Sequence, residues 1–134
     1  MKIFNTFSII VGFAGGFLSS MLGGLDKILI ALVTLMILDY VTGICKAIVN
    51  KKLSSTVGFK GIIKKVMILV IVAVAVVIEG VVGDVMPIRE IVIVFYLCNE
   101  AISLLENASE FVPIPAKLKE VLIQLREKNE NSSK

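Results

Sequence analysis

The stretch ILIALVTLMILDYVTGICKAIV, residues 28–49, decides how this chain is read, because it is apolar enough to cross a bilayer yet holds an aspartate, Asp39, near its middle. About 20 predominantly apolar residues are needed to span a hydrocarbon core of ~30 Å. An ionised carboxylate at the centre of such a span costs roughly 2.5–3.5 kcal/mol on insertion scales, so it requires a partner, a wet lumen or a proton. On a helix, positions 39, 43 and 47 share a face, which aligns Asp39 with Gly43 and Ala47, small residues over which a second helix can come close. Two readings follow. Asp39 pairs with a hydroxyl or a lysine inside a static bundle, or it is an acid whose surroundings change between states.

Working outward, three further apolar runs cover residues 3–22, 62–82 and 88–105. Hydrophobic residues make up 57% of the 134, well above the share in an ordinary soluble domain, so an integral membrane protein is expected. Four spans use most of the chain and leave no room for a soluble catalytic domain. Histidine is absent, which removes the commonest metal ligand and the usual general base near neutral pH. Cys45 and Cys98 share no metal-ligand spacing and read as small buried hydrophobes. No enzyme, metal or cofactor is expected.

The run at residues 3–22 is longer than a signal-peptide core and lacks a clear cleavage site before a soluble domain, so it is read as the first span. Gly12, Gly16 and Ser20 recur every fourth residue, with Gly15 and Ser19 on the adjoining ridge. Such ridges let helix backbones approach, either between copies of the chain or within one bundle.

Lys46, Lys51, Lys52, Lys60, Lys64 and Lys65 follow one another with no acid between Asp39 and Glu79. Short lysine-rich loops stay cytoplasmic, so this one fixes the orientation, and it is suited to anionic lipid headgroups. It lacks the interleaved aromatics of a nucleic-acid surface, and no nucleic acid is expected as a partner. Ser54, Ser55 and Thr56, with Gly58 and Gly61, read as a turn into the next helix, and Gly80, Gly83, Asp84 and Pro87 as a short outer turn.

The fourth run is the least apolar. Arg89, Tyr96, Glu100, Ser103 and Asn107 lay a polar stripe along one side of it, and that stripe has to face the bundle, line water, or lie in the interface. Beyond Pro113 and Pro115, residues 113–134 form a basic tail in which Leu118, Val121, Leu122 and Leu125 mark a short amphipathic helix, followed by a disordered Asn131–Lys134 end. The expected fold is all-α: a membrane domain over residues 1–112 with four spans and both termini cytoplasmic, then the cytoplasmic tail. Three spans are the runner-up.

Residues Leu38-Asp39-Tyr40-Val41-Thr42-Gly43, then Lys46-Ala47, Lys51-Lys52-Leu53-Ser54-Ser55 and Gly58-Phe59-Lys60-Gly61 with Lys64-Lys65, resemble the phage holin family that includes the clostridial toxin-secretion holins. The resemblance covers about residues 30–125. It implies a small protein of the bacterial cytoplasmic membrane that oligomerises and opens lesions through which an endolysin or a large toxin leaves. A small proton- or cation-coupled transporter is the rival reading, because a membrane acid can also serve alternating access. A passive membrane scaffold is a third, and it leaves Asp39 unexplained.

Overall fold

The structure, a computed structural model, describes residues 2–132, and among these every regular element is a helix. Five helices follow in order: α1 (Lys2–Met21), α2 (Lys27–Val49), α3 (Ser55–Val82), α4 (Ile88–Ala108) and α5 (Ala116–Ser132). The chain is thus an all-α membrane protein, in which α1, α2 and α3 are each long and apolar enough to cross a bilayer. Helix α4, interrupted by Arg89, Glu90, Glu100 and Glu106, is not among them.

Local chemistry sets the boundaries. Asp26 caps α2 by accepting from the Leu29 amide, and Ser54 caps α3 by accepting from the Val57 amide, each satisfying a donor that the first turn leaves free. Helix α3 therefore starts two turns before the expected apolar run, taking in Ser55, Thr56, Gly58 and Gly61. Gly83, in the left-handed region at φ 85°, ends it. Gly80, expected in the outer turn, lies inside α3.

Helix α4 is the hub, packing on α2, α3 and α5, while α2 and α3 touch each other less. The core lies where they meet: Leu29, Leu32 and Met36 of α2, Ile68 and Val72 of α3, and Ile93 of α4. The outer faces of α2 and α3 stay apolar and exposed, with Ile37, Val41, Val70 and Val77 among the exposed residues. A surface of this kind suits lipid, where dispersion rather than water exclusion must hold helices together.

Two peripheral helices complete the fold. No residue of α1 is buried, and a Cβ added at Gly12, Gly15 or Gly16 would meet nothing, so the glycine ridges form no packing face within the chain. Helix α5 folds back antiparallel along α4: Lys119 donates to Glu106, Arg126 to Asn99, and Asn129 to the carbonyl of Ile91. It meets α4 through an edge that includes Leu122 and Ile123, and leaves Leu118, Val121 and Leu125 exposed. Asn131 and Ser132, expected in a disordered end, continue α5, and Ser133 and Lys134 lie outside the described residues.

Candidate functional site

Where α2, α3 and α4 converge, three charged side chains meet. The ammonium of Lys65 donates to Oδ2 of Asp39 and to Oε2 of Glu100, bridging all three helices. The group is buried: the side chains of Lys65, Asp39 and Glu100 are 14%, 9% and 4% exposed. Asn107 completes it from α4, donating to Oδ1 of Asp39 at 3.0 Å, to the Asp39 carbonyl and to the hydroxyl of Thr42. Helical phase explains the meeting. Asp39 continues the buried series Leu29, Leu32, Met36; Lys65 continues Ile68, Val72, Ala75; Glu100 lies seven residues after Ile93.

At 1.5 Å per residue, Asp39 lies ~15 Å from the lysine-rich end of α2, and Lys65 a similar distance from the start of α3. With both carboxylates ionised, the triad carries two negative charges against one positive. Such a cluster is held by geometry more than by net attraction, because desolvating each ion offsets much of the Coulomb gain.

Around the triad, small residues allow close approach. A Cβ at Gly43 would lie 3.5 Å from the Asn107 amide nitrogen, so α4 does come close over the Asp39–Gly43 face, and Ala47 farther along it is half-buried. Tyr40 donates to the Gly58 carbonyl at 3.2 Å, and its ring lies where a Cβ at Gly61 would be 3.1 Å away. Ser103 lines a groove of about 480 Å³ between α3 and α4, beside Lys64, Asn99 and Glu106. The expected α4 stripe thus faces the bundle: Glu100 and Asn107 join the triad, Tyr96 packs on the core, and Ser103 lines the groove.

Arg89, at the other end of the stripe, reaches the α1–α2 turn. It donates to the carbonyls of Leu22 (2.7 Å) and Gly24 (3.0 Å) and forks onto both carboxylate oxygens of Asp26 at 2.8 and 3.1 Å. That hydrogen bonding holds the Asp26 carboxyl below its ordinary value of 3.8, although burial opposes the shift. Gly23, at φ 84°, is required here, since a Cβ would sit 2.5 Å from the Arg89 Nε.

Two readings from sequence are corrected. Lys65, grouped with the headgroup lysines, turns inward to the triad, whereas Lys51, Lys52, Lys60 and Lys64 are exposed and Lys46 lies 3.8 Å from Glu110. Cys45, expected to be buried, is exposed, and Cys98 is buried as expected. The uniformly apolar surroundings of α3 hid the first of these, because with hydrophobic residues all round no phase could be read for Lys65.

Helices long and apolar enough to cross a membrane, joined by a buried triad, define a class: a small all-α membrane protein whose buried polar groups serve contacts between helices. Within that class, the bacteriophage holin family matches residues 16–127, and the chain belongs to this family. It is similar to an uncharacterized 14.9 kDa protein of Clostridium perfringens, with 43% identity over 79% of this chain and 82% of the relative. It is likewise similar to the uncharacterized protein Lmo0128 of Listeria monocytogenes, with 40% identity over 93% of this chain and 86% of the relative. No solved structure matches.

Proposed function

We propose that this chain acts as a holin: it accumulates in the bacterial cytoplasmic membrane, oligomerises, and opens lesions through which an endolysin or a large toxin leaves the cytoplasm. The observation that carries the reading is the Asp39–Lys65–Glu100 triad, a set of charges hidden inside a single chain by three helices. In the closed state the triad and the α4 stripe face inward. In the open state the same groups line water, and lipid meets the apolar outer faces of α2 and α3. Helix α4 crosses as a fourth span, shielded by its neighbours, and the lysine-rich turn and both termini are cytoplasmic. Helix α1, with its glycine ridges unpartnered in the chain, supplies a seam between copies.

Membrane potential supplies a trigger of adequate size. One elementary charge crossing the membrane is worth about 2.3 kcal/mol per 100 mV, enough to tip an assembly balanced within a few kcal/mol. The test is expression with an endolysin in the cytoplasm. Abrupt loss of potential followed by lysis is expected, with Asp39→Asn and Glu100→Gln changing its timing. Unchanged timing and unchanged oligomers in both variants would sink the role of the triad. Leakage restricted to small solutes would replace a holin by a transporter.

A further inference from the structure

The stripe of α5 that faces away from the protein is apolar. Leu118, Val121 and Leu125 are between 43% and 49% exposed, and Phe111 and Val112 in the preceding turn are 48% and 52% exposed. The edge that docks on α4 is instead mixed, with Leu122 and Ile123 half-buried among Lys119, Arg126 and Asn129. Its bonds are Lys119 to Glu106, Arg126 to Asn99 and Asn129 to the Ile91 carbonyl, and no α5 residue is fully buried. An amphipathic helix normally buries its apolar face and hydrates its polar one. Here Leu118, Val121 and Leu125 are left outside the docked edge.

Two further features say what it fits. At ~100° per residue, Lys117 and Lys128 flank the stripe on the side away from α4, where long stems can lie along apolar surface while the ammonium groups reach water or phosphate. Docked α5 also runs along α4 as far as Ile91, near its far end. If α4 crosses the bilayer, that position carries charges between Lys117 and Glu130 to membrane depth, which lipid penalises heavily. The short connection at 109–115, containing Pro113 and Pro115, lets the helix leave.

We propose that α5 is a strap with two seats, on α4 and on the anionic surface of the cytoplasmic leaflet, the second of which takes the Leu118–Val121–Leu125 stripe. This rests on the reading of α4 as a span ending on the cytoplasmic side. Moving to the lipid seat releases Arg126 and Lys119 to headgroups and bares the Asn99 flank of α4.

The full-length protein tests this. In a Cys45→Ser background, Leu125→Cys carries an environment-sensitive fluorophore, and the chain without the added cysteine serves as the labelling control. Separately, Glu90→Cys with Glu127→Cys, both exposed positions, carry spin labels that report docking. In uncharged detergent the pair is expected to be close. In phosphatidylcholine vesicles containing phosphatidylglycerol it is expected to separate, with blue-shifted emission at 125 that a lipid-borne quencher removes. Leu125→Glu is expected to move the docked-to-released ratio about tenfold back toward docked, the size expected for losing one leucine-scale contact. A close pair with water-like emission in every vesicle overturns the strap. So does efficient cross-linking of position 125 between chains without quenching by lipid, which gives the stripe to a second copy. Neither measurement includes lysis, so the strap can fail while the holin reading stands, and the reverse.

Discussion

Replacing Lys65 by Met is the sharpest single perturbation of this fold. Methionine keeps most of the length of the side chain and removes the charge, leaving Asp39 and Glu100 facing each other with side chains 9% and 4% exposed. Breaking a buried pair from one side typically costs about 3–5 kcal/mol, because the remaining charge is left without a partner, and here two are left. In terms of the folded-to-unfolded ratio that is two to nearly four powers of ten. Asp39→Asn behaves differently. It leaves a balanced Lys65–Glu100 pair, keeps an amide oxygen opposite Asn107, and removes one of two negative charges. Its cost is expected to stay lower, at about 1.5–3 kcal/mol, of the order of one hydrogen bond to a charged group. Glu100→Gln is expected to match it. The assay is SDS-titrated unfolding of purified protein in mixed micelles, followed by far-UV circular dichroism, with the double variant Lys65→Met/Asp39→Asn closing a cycle. If Lys65→Met proves no more damaging than Asp39→Asn, the triad does not hold the helices together and the reasoning is wrong.

Arg89→Ala removes the fork on Asp26 and the bonds to Leu22 and Gly24, and a loss of about 1–3 kcal/mol is expected in the same unfolding assay. Because Asp26 has its carboxyl held below 3.8, its contribution is present above that pH and lost on acidification through the lower, folded-state value; the Arg89→Ala chain should lose this acid-sensitive component. Gly61→Val places a Cβ 3.1 Å from the Tyr40 ring with further atoms beyond it, so about 1–3 kcal/mol of destabilisation is expected, whereas Tyr40→Phe gives up only its bond to Gly58, about 0.5–1.5 kcal/mol. Gly12→Leu and Gly16→Leu meet open space, so monomer unfolding should move by no more than about 0.5 kcal/mol, while a seam role for α1 requires altered cross-linked oligomers.

Much of the helical framework was legible in the chain, because apolar length alone identifies α1, α2 and α3. The buried acids were legible as well: Asp39 stood out energetically within an apolar run, and Glu100 lay on a polar stripe for which facing the bundle was one of the readings. Lys65 was not, for two physical reasons. Its neighbour Lys64 carries the same charge one residue away, and α3 offers no polar face to set its phase. The fold-back of α5 was also out of reach, since its apolar stripe points to a seat it does not occupy on α4. Only the spacing of Asn99 and Glu106 on α4 against Arg126 and Lys119 on α5, seven residues apart in both helices, matches the observed docking.

The Arg89 clamp has a mechanical consequence. Helix α1 buries none of its own residues, and Arg89 grips the turn that follows it at three successive points, Leu22, Gly24 and Asp26. The first helix is therefore a lever with one pivot, and the pivot is bolted to the first turn of α4. Torque applied anywhere along α1 arrives at Arg89, at the head of the same helix that carries Glu100 into the triad three turns away.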